Sequence, residues 1–170
     1  MDDRYGPSRS TDGRPAEPAI ERASSVVGRG GWAVLETRSV TGPRGWHTVG
    51  LATNHDHPEL VVEAVSRAHG RAVLAAVAQA VAGGGTRLDH GDVVVAGGVD
   101  LRAVVMTDGL LPGDGPTHLH GAWVIEPRPM FDHGAVQLVW PDLGGRYPWD
   151  RGFSGDQPVL GPVPWVRPMP

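Results

Sequence analysis

The chain has 170 residues, a formal net charge of −4, no cysteine, and only arginine among its 15 basic residues. That length suits one domain, and the missing cysteines exclude disulfides, thiolate metal sites and cysteine nucleophiles. The missing lysines exclude Schiff-base and P-loop chemistry, no basic stripe marks a nucleic-acid binder, and no apolar run reaches the ~20 residues of a membrane span.

Residues 1–22 read as a disordered N-terminal tail. Asp, Glu and Arg alternate there with Pro and Ser, and little apolar surface offsets the entropy of ordering. No signal-peptide apolar core is present, so a cytoplasmic location is expected. The arginine-for-lysine bias matches a GC-rich bacterial genome. Residues 23–156 read as a single α+β domain.

After the glycines at 28, 30 and 31, Trp32–Thr37 reads as a strand. A Gly-Pro turn at 41–45 leads to a second strand, Trp46–Leu51, which pairs with the first as an antiparallel hairpin. Trp46 and Thr48 share one face of it; His47 and Val49 share the other. Ala52–Pro58 is expected to be a polar loop, and β-branched Glu59–Val65 a strand buried on both faces. Ser66 is placed to cap the main helix, about 67–82. Val73, Val77 and Val81, with Leu74 and Ala78, form its buried stripe, and Gly83–Gly85 stop it. Strands follow at Asp92–Ala96, Leu101–Met106 and Val136–Trp140. Trp123–Ile125 suggests another, because Pro127 and Pro129 forbid a long helix. Residues 157–170 hold the last prolines and should be extended. The fold class is therefore α+β: a mainly antiparallel sheet of about six to seven strands packed with one main helix.

In order along the chain, Gly31-Trp32, Thr48-Val49-Gly50-Leu51, His57-Pro58-Glu59-Leu60, Gln137-Leu138-Val139-Trp140-Pro141-Asp142, Gly145-Arg146-Tyr147-Pro148-Trp149-Asp150 and Gln157-Pro158 appear together. In this combination the sequence resembles the bacterial family called domain of unknown function 4262, over most of its length. Trp46-His47 departs from the Phe-Tyr or Ala-Tyr expected before the Thr-Val-Gly-Leu motif. The resemblance implies a cytosolic single domain and carries no activity with it, so the sequence leaves enzyme or non-enzyme open.

Two constellations could carry chemistry. His47, His55, His57 and Glu59, with a second His-x-His at His118 and His120, have the ligand types for a divalent zinc, iron, nickel or manganese ion. An open fourth position on such an ion would make a hydrolytic or oxygen-activating centre. The competing reading makes His57-Pro58-Glu59 a turn. The second constellation is the loop carrying Trp140, Asp142, Arg146, Trp149 and Asp150. Its Trp-Pro-Asp evokes a phosphatase acid, but the cysteine that chemistry needs is missing. An aromatic rim with a few charges can instead bind a small ligand or a peptide. Against that, the tryptophans can be corner residues and Asp142 can bond its own turn. Gly83–Gly85 follows a helix where a phosphate loop precedes one. Asp156 spoils a Gly-x-Ser-x-Gly elbow at Gly152.

The leading expectation is a small-ligand or protein-binding accessory domain. Its pocket would lie between the loop at Asn54–Glu59 and the loop at Trp140–Asp150. A metal-dependent enzyme is the alternative, and the proline-rich C-terminus as an extended docking strand is a third reading.

Overall fold

The protein is described by a computed structural model over residues 17–38, 44–63, 67–106, 124–125 and 134–161. Its elements run α1 (Glu17–Val27), β1 (Ala33–Arg38), β2 (Arg44–Val49), α2 (Leu51–His55), β3 (Glu59–Glu63), α3 (Arg67–Ala82), β4 (Val93–Ala96), β5 (Val99–Met106) and β6 (Ala135–Val139). The six strands form one sheet in the order β1-β2-β3-β6-β5-β4. It is two antiparallel meanders, β1-β2-β3 and β4-β5-β6, joined where β3 and β6 run parallel. The fold is thus α+β with a mostly antiparallel sheet.

Period-two alternation assigns the two faces of this sheet. On one face, Trp46, Leu60, Val62, Leu101, Ala103, Val136 and Leu138 bury themselves against Leu74, Val77, Ala78 and Val81 of α3. The helix passes so close to β2 that a methyl group on Gly70 would lie 2.6 Å from the Trp46 ring. Gly84, at φ +74, ends α3 with its N–H bonded to the carbonyl of Val81 at 2.9 Å, as glycine beyond a helix end does. On the other face, Leu35 and Val49 pack on Ala23 and Val27 of α1. Further along that face, Gln137 donates to the Pro158 carbonyl at 2.6 Å and accepts from the Leu160 N–H at 2.7 Å. The segment after Asp156 is thereby latched onto β6.

Several expectations from the sequence change. Residues 17–22 are part of α1, inside the stretch read as a tail. Ala19, Ala23 and Val27 recur four apart and face β1 and β2, which offsets the polar character of the rest. The loop expected at Ala52–Pro58 begins with α2, whose start at Leu51 follows Gly50 at φ +103. Val124 and Ile125 are helical where a strand was expected. Ser66, His118 and His120 lie outside the described residues. Beside the main helix α3, two further helices, α1 and α2, thus belong to the fold.

Candidate functional site

At one end of the sheet, the His57-Pro58-Glu59 motif is an internal brace. Glu59 is fully buried. Its Oε1 accepts the N–H groups of Gly50 at 3.0 Å and Ala52 at 2.9 Å, the open donors at the start of α2. Gly50 has no side chain to cap them, so a carboxylate from β3 does so across the chain. Its Oε2 accepts the Thr48 hydroxyl at 2.5 Å, and that hydroxyl oxygen accepts the Leu60 N–H at 2.7 Å. His57, also buried, has Nδ1 at 2.7 Å from the Pro58 carbonyl, and its Nε2 accepts the Leu88 N–H at 3.1 Å. A carbonyl only accepts and a backbone N–H only donates, so Nδ1 carries the proton. Both ring nitrogens are engaged within the fold.

The other two histidines point elsewhere. His47 is wholly buried on β2, opposite Leu35 and Val61. Its face is the one that also carries Glu63 and Gln137, not the one that carries Thr48. His55 closes α2 and borders an open cleft of about 610 Å³ beside Asn54, Asp56, Val81 and Gly84. Asn54 spends its amide on the carbonyls of Val27 at 3.0 Å and Gly31 at 2.8 Å, which ties α1 to α2. Among the described residues, no group of three or more His, Asp or Glu side chains is placed to hold a metal ion. His47 on β2, His55 at the end of α2 and the His57–Glu59 brace are therefore not brought together as one metal site.

At the other end, the loop leaving β6 is organised by one carboxylate. Asp142 Oδ1 accepts the N–H groups of Gly144 at 2.8 Å and Arg146 at 3.0 Å. Its Oδ2 accepts Arg146 Nε at 3.2 Å and both the N–H and the hydroxyl of Ser154 at 3.0 Å. These donors, the Arg146 N–H foremost, outweigh desolvation and lower its pKa to about 2. Asp150 makes a smaller turn by accepting the Tyr147 N–H at 2.8 Å. Trp140 is half-buried against the main core, and its N–H is held by Gln157 at 3.2 Å. The product of this bracing is a half-buried stack. Tyr147 and Trp149 lie face to face, centroids 5.3 Å apart and 6° from parallel, with the Arg102 guanidinium 5.6 Å from the Tyr147 centroid. Tyr147 also donates its hydroxyl to the Asp100 carbonyl at 3.0 Å.

The expected pocket between the two loops does not form. Glu59 stands opposite Ala135, so β3 and β6 start at the same end and run the same way. The loop before β3 and the loop after β6 are thus at opposite ends of the sheet, about 15 Å apart along the strands. The structure brings together Asp142, Arg146, Trp149 and Asp150 near Trp140, and separately His57 with Glu59.

A surface not anticipated from the sequence adjoins the Tyr147–Trp149 stack. Val93 is 49% and Val95 69% exposed on β4. They stand directly opposite Arg102 and Asp100 of β5, hence on the same face as the stack. The signal was Gly97-Gly98 between two apolar runs. Both glycines have positive φ, +63 and +78, as a two-residue hairpin turn requires. The turn makes β4 a short outer strand with one face open.

The comparisons with known proteins concern the chain as a whole. The family described as Domain of unknown function (DUF4262) matches residues 26–154, and the chain belongs to that family. No curated protein and no solved structure matches it. No helix among the described residues is long and apolar enough to cross a membrane.

Proposed function

We propose that this member of the DUF4262 family is a protein-binding accessory domain that uses the open face of β4–β5 and the braced loop after β6. The carrying observation is the pair of exposed valines, Val93 and Val95, beside the Arg102–Tyr147–Trp149 stack. Tyrosine, tryptophan and arginine are the side chains that anchor protein interfaces. Here they are held in place beforehand, which lowers the entropy lost on binding. With the two motif-bearing loops at opposite ends of the sheet, a polypeptide surface is favoured over the small-ligand pocket. The family resemblance and the lysine-free composition support a bacterial cytoplasmic setting.

Photo-crosslinking in the producing cells tests the reading. A photoreactive residue at position 95 should give a discrete covalent adduct with a polypeptide. The same residue at Ala76, exposed on α3, should not. Equal or absent adducts from the two positions would refute a binding role for this face.

A further inference from the structure

The loop between α3 and β4 is bounded by glycines and fastened by two histidine rings. Gly83–Gly85 form one end, and Gly91, at φ +95, forms the other. Between them the Leu88 side chain is buried in the core that α3 covers. The Leu88 N–H is held by His57 Nε2 at 3.1 Å. His90 reaches across to β5, where its Nδ1 accepts the Val105 N–H at 3.1 Å. This second bond prolongs the β4–β5 ladder. Ala103 accepts from Gly91 at 2.7 Å and donates to the Asp92 carbonyl at 2.9 Å, so Val105, two residues on, carries the next outward N–H. An imidazole stands there in place of a backbone carbonyl. A backbone N–H only donates, so both contacts need a ring nitrogen with a free lone pair, and an imidazolium has none. Among the described residues, the charged groups around His57 are Asp56 after α2, Glu59 on β3 and Arg87 in the loop. Both Glu59 oxygens are engaged by Thr48, Gly50 and Ala52, and Arg87 donates to the Asp56 carbonyl at 3.2 Å. Around His90 they are Asp89 and Asp92, tied to each other by the Asp89 N–H at 2.8 Å, and Arg102 of β5, 3.5 Å from the Gly91 carbonyl. The last turn of α3 carries no charged side chain.

We propose that residues 86–90 are an acid-released flap: a proton on His57 and a proton on His90 remove both fastenings, and the segment swings out about its glycine ends. The released flap holds two protons that the closed flap excludes. Closure is therefore complete above neutral pH and fails as pH falls. Imidazoles in water titrate near pH 6.5. From about pH 7.5 to about pH 5.5, each ring raises the opening constant about tenfold, and the pair about a hundredfold. The flap leads directly into β4, which carries Val93 and Val95. Its release frees the start of that strand, so acid weakens the face assigned above to a polypeptide partner. This consequence rests on the proposed binding role; the flap itself does not.

Amide hydrogen exchange of the full chain, read residue by residue by NMR, tests the flap. Between about pH 7.5 and about pH 5.5, corrected for intrinsic exchange, protection at Leu88 and Val105 should fall about a hundredfold. Protection at Val136 and Leu138, in the middle of the sheet, should change less than about twofold. His57→Gln offers Leu88 an amide oxygen that does not titrate, and His90→Asn does the same for Val105. Because the flap opens as one unit, either variant should cut the fall to about tenfold at both amides. His90 is exposed, so His90→Asn stays informative where a change at buried His57 prevents folding. Unchanged protection at Leu88 and Val105 would overturn the proposal. So would a fall shared equally by Val136 and Leu138, which marks loosening of the whole sheet. In cell lysate, the adduct from position 95 should be weaker at the lower pH. An equal yield would sever the flap from the binding face, and no adduct at either pH would count against the binding role alone, with the exchange data still deciding the flap.

Discussion

Asp142 shows how one side chain can shape a loop that looks functional in the sequence. Five donors from Gly144, Arg146 and Ser154 converge on its two oxygens. Asn in its place presents N–H groups toward donors at one of the two positions, so Asp142→Asn should lower the melting temperature at neutral pH and loosen the Tyr147–Trp149 stack. The pH dependence follows from linkage. The carboxyl's pKa falls from 3.8 to about 2 on folding, so its stabilisation is complete above about pH 4 and is lost as pH falls through 2. Calorimetry of the two proteins should show a gap that is constant at neutral pH and narrows below pH 4; a gap independent of pH would contradict the role of the charge. Glu59 is the counterpart at the other end. Glu59→Gln cannot accept from Thr48, Gly50 and Ala52 together, and leaving one buried donor open costs about 1–3 kcal/mol. Urea unfolding should report that loss with an unchanged m value.

At the level of elements, α3 and β2 meet where Trp46 lies over Gly70. Gly70→Ala tests which of two effects is larger. In an exposed helix the change would favour folding by about 1 kcal/mol. Here the methyl would press on the Trp46 ring, and overpacking costs about 1–3 kcal/mol. A lower melting temperature is expected, and a higher one would show that the ring has room to move. The same elements show what a single sequence makes legible. The stripe of α3, the β1–β2 hairpin and the buried strand at Glu59 announce themselves through period and punctuation, which are local properties. Helix α2 does not, because its polar sequence is stabilised by a carboxylate from β3 that lies outside the window of any local reading. Helix α1 offers three small apolar residues four apart in a charged stretch, a signal strong only once β1 and β2 supply the surface they cover. The loop after β6 was legible as a cluster of residue types. Its distance from His57 was not, because that depends on β3 and β6 running parallel, and strand direction across a crossover leaves no mark on either strand.

Over the whole molecule, that parallel junction is the seam between two meanders that would otherwise be separate three-stranded sheets. Helix α3 spans the seam on one face. On the other, the work falls to α1 over β1–β2 and to the segment after Asp156 over β6. The family match stops at residue 154, short of this latch, and begins at residue 26, after most of α1. A chain cut to 26–154 therefore loses the packing of Ala19 and Ala23 and the bonds of Gln137 to Pro158 and Leu160 and of Gln157 to Trp140. The fully buried Gln137 amide would be left against β6 with neither of its latch bonds, at a cost of about 1–3 kcal/mol before the lost packing is counted. A chain of residues 17–161 keeps all of these contacts. The urea midpoint of 17–161 should lie well above that of 26–154. Equal midpoints for the two shortened chains would mean that α3 alone holds the seam.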